Sequence, residues 1–152
     1  MKSINRDTLE DWLAEKDIRY YLCKDCDGLH LSETEENIGV LESRLLLESG
    51  LVIVSTELSV RPSAVLPLHG SMQLINFDNP LVKVGLSLYD DDVPRLVISG
   101  ALPTNGLEAD YFIQYLEQVL SATRLVLDHA TQMDVLLLDE LERDTPDGDA
   151  LH

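Results

Sequence analysis

Two long aliphatic runs, joined by two turn residues, constrain the fold of this chain more than any other feature. The runs span Val40 to Glu48 and Leu51 to Val60, and Ser49-Gly50 between them supplies a tight turn. In the second run, alternate residues share one face of a strand: Val52, Val54, Thr56, Leu58 and Val60. The pattern predicts an antiparallel hairpin with one face against a core.

The rest of the chain alternates between short strands and helices. The predicted elements are a helix over Thr8 to Lys16 with Asp7 as N-cap, strands over Arg19 to Leu22 and Gly28 to Leu31, the hairpin, a helix over Leu66 to Phe77, strands over Val82 to Leu88 and Leu96 to Leu102, and a helix over Glu108 to Thr131. Ser32 to Asn37 is predicted to be a loop. The order α-β-β-β-β-α-β-β-α predicts an α+β fold in which an antiparallel sheet and helices form two layers.

Two helices carry recognisable buried faces. Leu68, Met72 and Ile75 share one side of the middle helix. The long helix has the widest apolar stripe, formed by Phe112, Leu116, Val119, Leu120, Thr123 and Leu127. At 152 residues the chain is predicted to form one domain over 1–138. Residues 139–152 are predicted to be a disordered acidic tail.

The charge limits the choice of partners. With 28 acidic and 11 basic residues the net charge is -17, which repels phosphate backbones and anionic lipid surfaces. We therefore expect no direct nucleic-acid binding and no membrane insertion. The acidity suits solubility or the attraction of a basic protein partner equally well. The choice between a monomer and a homodimer stays open. Because no leader or spanning segment is recognisable, the expected location is cytoplasmic.

No catalytic motif stands out, so neither an enzyme nor a cofactor is expected. Cys23-x-x-Cys26 with His30 is the sharpest local group. It offers three zinc ligands or a redox thiol pair. A fourth zinc ligand would have to come from Asp25, Asp27, His69 or His129. The favoured interpretation is structural, with two hairpin cysteines packed against the first helix.

Five further residues are candidates for partner binding. Tyr20, Tyr21, Tyr111 and Tyr115 can ring a groove or pack at the edge of the core. Arg61 can recognise a partner carboxylate or pin the crossover between strand and helix, and the structural role is favoured.

Several phrases together resemble the YbjN family of bacterial sensory-transduction regulators, and within it the AmyR-like regulators. They are Leu9-Glu-Asp-Trp-Leu13, Cys23-Lys-Asp-Cys26 with Leu29-His-Leu31, Arg61-Pro-Ser-Ala-Val-Leu-Pro-Leu68 and Asp90-Asp-Asp-Val-Pro-Arg-Leu-Val97. The resemblance implies a fold like that of class I type III secretion chaperones. It also implies a regulator that acts through protein contacts on stress response, motility, exopolysaccharide production or virulence. The alternatives are a client-binding protein of the secretion-chaperone kind and a thiol or zinc sensor using Cys23 and Cys26.

Overall fold

The computed structural model describes residues 3–88 and 93–138. Its elements in chain order are α1 (Arg6–Glu15), β1 (Tyr20–Leu22), β2 (Leu29–Leu31), α2 (Ser32–Glu35), β3 (Val40–Glu48), β4 (Leu51–Ser59), a 3₁₀ turn (Pro62–Ala64), α3 (Val65–Asp78), β5 (Lys83–Ser87), β6 (Arg95–Pro103) and α4 (Ala109–Gln132). The six strands form one antiparallel sheet in the order β1-β2-β3-β4-β6-β5. The predicted α+β class is confirmed, and the predicted order of elements holds apart from the additional short helix α2.

The β3–β4 hairpin forms the middle of the sheet as its alternation predicts. Ser49 and Gly50 both have positive φ, 52° and 76°, which matches the backbone twist of a two-residue hairpin turn. The five alternating residues of this second run, from Val52 to Val60, are all buried. β6 pairs with β4 over nine positions, from Leu51 opposite Pro103 to Ser59 opposite Arg95. The hairpin therefore provides a long, regular base for one apolar layer.

α4 covers the face of the sheet on which Val54 lies. Gly100 is the β6 partner of Val54, and a Cβ atom at Gly100 would lie 2.7 Å from the Tyr115 hydroxyl and 3.3 Å from Val119 Cγ2. Such close approach of helix to sheet requires glycine at this position. α1 packs beside α4, with the rings of Trp12 and Phe112 5.5 Å apart between centroids. These two helices form the second layer.

The buried face of α4 is wider than the predicted stripe. Phe112, Leu116, Val119, Thr123 and Leu127 are buried as predicted, and Leu120 is partly buried. Ile113, Val126 and Ala130 are buried as well. These additional residues are buried because α4 contacts neighbouring elements as well as the sheet. A single apolar stripe predicts contact with one surface only.

α3 lies along β5, the outer strand at one end of the sheet. The Asn76 side chain accepts a hydrogen bond from the Val84 N–H at 2.8 Å and donates one to the Val84 carbonyl at 2.9 Å. This amide takes the place of a neighbouring strand at Val84. Leu68 and Ile75 on the inner side of α3 are buried as predicted, and Met72 is partly buried.

Two local predictions were wrong. The N-cap of α1 is Asn5 rather than Asp7, because Asn5 Oδ1 accepts from the Thr8 N–H at 2.9 Å while the Asn5 N–H donates to Thr8 Oγ1 at 3.3 Å. The polar segment predicted to be a loop contains α2. Its turn closes with a bond from the Glu36 N–H to the Ser32 carbonyl at 3.1 Å, and the Asn37 side chain donates to the carbonyls of Glu33 and Thr34.

The chain beyond α4 returns to the end of β4. Leu136 bridges to Val60, the Arg61 N–H donates to the Val135 carbonyl at 2.8 Å, and the Leu137 N–H donates to the Ser59 carbonyl at 2.9 Å. The apolar run over 135–138 therefore continues the sheet at this corner. The predicted domain limit at 138 stays a prediction. The predicted acidic tail lies outside the described residues, as do Asp90, Asp91 and Asp92. None of the described helices is long and apolar enough to cross a membrane.

Candidate functional site

The loop between β1 and β2 brings the two cysteines to His30. Cys23 Sγ, Cys26 Sγ and a ring nitrogen of His30 all lie within 4.8 Å of one another. Cys26 Sγ and His30 Nε2 are 3.4 Å apart. Both thiols are free and partly buried, whereas His30 is only 5% exposed. The sequence motif is thus a compact group of two sulfur donors and one nitrogen donor.

Backbone N–H groups of the loop point at the sulfurs. The Asp25 N–H donates to Cys23 Sγ at 3.3 Å, and the backbone of Gly28 hydrogen-bonds to Cys26. Burial raises the pKa of the Cys26 thiol, but hydrogen bonds from Gly28, His30 and Arg44 outweigh it and lower this pKa to about 7. The loop therefore favours the thiolate form of Cys26.

Gly28 lets this loop approach β3 closely. A Cβ atom there would lie 2.9 Å from Leu46 Cδ2 and 3.2 Å from the Leu45 carbonyl oxygen. A side chain at this position would require the Leu46 side chain to move and would crowd the Leu45 carbonyl.

Glu35 of α2 holds the other side of the imidazole. His30 Nδ1 lies 2.7 Å from Glu35 Oε2, which also accepts a bond from the Ser43 N–H at 2.9 Å. The Tyr21 hydroxyl donates to the second oxygen of Glu35, and the Tyr21 ring stacks on His30 with centroids 4.7 Å apart. The bond at Nδ1 and the stacking of Tyr21 together fix the orientation of the imidazole ring.

The same contacts change the acidity of these groups. Burial lowers the pKa of His30, but its bonds to Glu35 and Cys26 outweigh this and raise it above its ordinary value. Burial raises the pKa of Glu35, and the bonds from Tyr21, Ser43 and His30 outweigh it, so that this pKa is lowered. The bond to Glu35, together with burial, raises the pKa of Tyr21 to about 12. Near neutral pH, Glu35 is therefore ionised and accepts a hydrogen bond from the N–H at His30 Nδ1.

The group lies on the side of the sheet that faces away from α4. Leu29 pairs with Leu45, which in turn pairs with Val54 on the α4 side of the sheet. His30 and Arg44 form the next pair along the two strands, so their side chains lie on the opposite face. The hydrogen-bond partners of Cys26 are His30 and Arg44, and the expected packing of the cysteines against the first helix stays a prediction. β2 ends at Leu31, which frees the Ser43 N–H for Glu35.

The sequence offered four candidates for a further ligand. Asp25, Asp27, His69 and His129 do not belong to the group of donor atoms that lie together in the described part of the chain. Glu35, which the sequence analysis did not select, is the carboxylate in contact with the imidazole. Its position four residues after Leu31 on a polar segment carries no signal that separates it from Glu33 or Glu36.

The four tyrosines do not form one ring. Tyr20 and Tyr21 are on β1, at one end of the sheet, and Tyr20 donates to Glu10 at 3.0 Å. Tyr111 and Tyr115 are on α4. Tyr115 donates to the Ala101 carbonyl on β6 at 3.1 Å, and Tyr111 is exposed. β1 lies four strands from β6, or about 19 Å across the sheet, so the two pairs of tyrosines lie at different places on the sheet. Their predicted role in partner binding stays a prediction.

Arg61 holds the corner where the chain returns after α4. Its guanidinium donates to the Asp134 carbonyl and lies 3.4 Å from the Asp134 carboxylate. Its backbone N–H is bonded to Val135 as well. These contacts give Arg61 a structural role at the crossover, and a role toward a partner stays a prediction.

One exposed surface was missed by the sequence analysis. The outer side of α3 presents Leu66, Gly70, Leu74 and Phe77 to solvent, and we call these four residues the α3 outer face. A signal for it exists, since Leu66, Leu74 and Phe77 recur at helical spacing opposite Leu68 and Ile75. A helix with apolar residues on two sides is predicted to be fully buried unless its position at the sheet edge is known.

Comparisons with known proteins agree with the resemblance found in the sequence. The model of the YbjN family, described as "Putative bacterial sensory transduction regulator", matches residues 5–131. The "Uncharacterized protein YbjN" of Escherichia coli K12 is 31% identical over 132 residues, which cover 86% of this chain and 84% of that protein, and the Shigella flexneri protein of the same name gives the same figures.

Two solved structures share the fold. The crystal structure of YbjN from E. coli, titled "a putative transcription regulator", superposes with a TM-score of 0.86 at 29% identity, covering 91% of this chain and all of that one. A protein from Methanothermobacter thermautotrophicus has a TM-score of 0.55 at 11% identity, with 86% and 99% covered, and supports the fold alone.

Proposed function

This chain belongs to the YbjN family, and from that premise we propose that it is a bacterial regulator that acts by binding another protein through the α3 outer face. The family description is "Putative bacterial sensory transduction regulator", and the E. coli protein is described as "a putative transcription regulator". The observation that supports the proposed mode of action is an uncharged apolar helix face on the surface of a strongly acidic chain.

The α3 outer face is continuous and exposed. Leu66, Leu74 and Phe77 are 81%, 59% and 82% exposed. Spacings of four, four and three residues place them with Gly70 on one side of the helix, over a length of about 16 Å. Contiguous apolar surface of this kind on a soluble domain marks a site of protein contact.

Gly70 in the middle of this face supports the same proposal. Glycine inside a helix costs roughly 1 kcal/mol relative to alanine, and no atom lies within 4 Å of the position that its Cβ would occupy. Intramolecular packing therefore does not require glycine here. The missing side chain leaves a groove lined by Gly70, Gln73, Leu74, Asn76 and Phe77, into which a partner side chain can insert.

Charge selects the kind of partner. No Asp, Glu, Lys or Arg occurs from Val65 to Phe77, although these residues make up 26% of the chain. A second copy would bring another 17 negative charges to the contact, and a nucleic acid would be repelled in the same way. We therefore infer a different protein, with an apolar ridge bordered by Lys and Arg side chains, as the occupant of this face.

The secretion-chaperone alternative requires a free strand edge when the client binds by strand addition. On β5 the outward N–H and carbonyl of Val84 are bonded to Asn76. On the other edge, β1 has only three residues. These features favour docking of side chains on α3 over addition of a client strand.

Phe77→Asp tests the proposal in the bacterium that carries the gene. We expect that expression of this variant in a deletion strain will not restore the wild-type transcript profile, because a carboxylate within the contact is desolvated without a partner. Leu125→Asp is the matched control, since Leu125 is 61% exposed on α4, and it should restore the wild-type profile. Equal protein levels and melting temperatures exclude loss of folding as the cause. Restoration by Phe77→Asp would contradict the proposal.

A further inference from the structure

We propose that Cys23, Cys26 and His30 bind one zinc ion, that Glu35 orients His30 for this purpose, and that the fourth coordination position is open to water or to a donor from a binding partner. This inference is independent of the α3 outer face. It rests on the placement of the three donor atoms, on the loop that supports the sulfurs, and on the carboxylate behind the imidazole.

One pair of donor atoms has the separation expected of a tetrahedral zinc site. Zinc lies about 2.3 Å from thiolate sulfur and about 2.0–2.1 Å from imidazole nitrogen, so a sulfur and a nitrogen bound to the same ion are about 3.5 Å apart. Cys26 Sγ and His30 Nε2 are separated by 3.4 Å. The whole group fits within 4.8 Å, so that small side-chain rotations bring all three donors to one ion.

The loop directs backbone hydrogen bonds to both sulfurs. The Asp25 N–H donates to Cys23 Sγ and the Gly28 backbone bonds to Cys26. A thiolate accepts such bonds more strongly than a thiol does. Zinc binds the thiolate form, and each thiol that coordinates releases one proton to solvent. The same loop spans only two residues between the cysteines, which is a spacing typical of zinc sites.

Glu35 supplies the second part of the site. In zinc proteins the nitrogen that does not bind the metal usually donates its N–H to a carboxylate, which fixes the tautomer and the ring orientation. His30 Nδ1 meets Glu35 Oε2 at 2.7 Å, and Nε2 is left facing Cys26. Glu35 is itself held by the Ser43 N–H and the Tyr21 hydroxyl. The imidazole is therefore oriented before any ion arrives.

Zinc explains more of this arrangement than the other chemistries of cysteine do. Disulfide chemistry between Cys23 and Cys26 would use His30 only to favour the Cys26 thiolate, and it would place no ligand on Nε2. A redox-inactive ion with two sulfur ligands and one nitrogen ligand uses all four residues, and soft thiolates together with imidazole select zinc over magnesium or calcium. Three protein ligands leave one position for an exchangeable donor.

The test is titration of the reduced, untagged, full-length chain with Zn²⁺ alone, in competition with a chromophoric chelator. We expect one zinc per chain for the wild type and loss of this stoichiometric binding in Cys26→Ser and His30→Asn. Glu35→Gln should weaken the affinity by about 10- to 100-fold, as removal of an outer carboxylate does. His69→Asn is the control, because His69 is exposed and outside the donor group, and its affinity should equal that of the wild type.

A second readout keeps folding separate from binding. Zinc should raise the melting temperature of the wild type and of His69→Asn, and should leave that of Cys26→Ser unchanged, while circular dichroism shows that all variants are folded. The proposal is overturned if the reduced wild type binds no zinc, or if His30→Asn binds it with unchanged affinity. A reduced chain that ignores zinc but forms a reversible Cys23–Cys26 disulfide, detected as the loss of two hydrogens in the intact mass, would assign the group to redox chemistry instead.

Discussion

Replacing Leu116 by alanine is expected to lower the free energy of unfolding by roughly 2–5 kcal/mol. Leu116 is fully buried on α4, in the middle of the stripe that faces the sheet. Truncation removes the transfer free energy of the lost carbons and leaves a cavity that the neighbouring side chains fill only in part. Such a loss is a large share of the roughly 5–15 kcal/mol that stabilises a typical domain. Urea denaturation followed by circular dichroism measures it.

Leu125→Ala is the matched control for Leu116→Ala. It makes the same chemical change on the same helix, but Leu125 is 61% exposed. The free energy of unfolding should change by less than about 0.5 kcal/mol. Equal losses in the two variants would mean that α4 is not packed on the sheet through Leu116.

Replacing Asn76 by alanine is expected to destabilise the domain by about 1–3 kcal/mol. The change removes the two hydrogen bonds to Val84, because one amide accepts from the Val84 N–H and donates to the Val84 carbonyl, and it also removes the bond from this amide to the Met72 carbonyl at 3.1 Å. It also exposes the edge of β5, which then becomes open to pairing with another chain. Thermal and urea denaturation measure the first effect, and light scattering on concentrated protein measures the second.

Gln73→Ala serves as the control for Asn76→Ala. Gln73 is exposed on the same helix, so its truncation should change the stability by less than about 0.5 kcal/mol. Hydrogen exchange supplies the specific readout, since the Val84 amide should lose protection in Asn76→Ala alone. Retained protection of Val84 in that variant would show that Asn76 does not close the edge of β5.

The parts of the fold that the sequence predicts are those with a strong internal period. The alternation from Val52 to Val60 and the stripe from Phe112 to Leu127 each define a buried face without reference to the rest of the chain. Local hydrogen bonds were harder to predict. Asn5 and Asp7 are both good N-cap residues, and the bond between Asn5 and Thr8 decides between them.

The candidate zinc site was predictable only in part. Cys23, Cys26 and His30 are close in sequence, so a hairpin necessarily brings them near one another. Glu35 reaches His30 because β2 ends at Leu31 and α2 follows at once beside β3. This geometry depends on the hydrogen bond between Glu35 and the Ser43 N–H, which no local sequence pattern predicts.

The α3 outer face was hidden for a different reason. Leu66, Leu74 and Phe77 are as apolar as the core residues Leu68 and Ile75, so composition does not separate the two sides of the helix. What separates them is the position of α3 at the edge of the sheet, with β5 on one side and solvent on the other. Such placement is a tertiary property that helical periodicity alone does not contain.

The proposed mode of action is tested most directly by photo-crosslinking in living cells, with a photoreactive amino acid placed at position 77 or, as control, at position 125. We predict that position 77 forms an adduct with a basic protein other than this chain, and that position 125 does not form it. Intact masses of the purified adducts identify the partner. An adduct with the mass of two copies of this chain, the same adduct from both positions, or no adduct from position 77 would contradict the account.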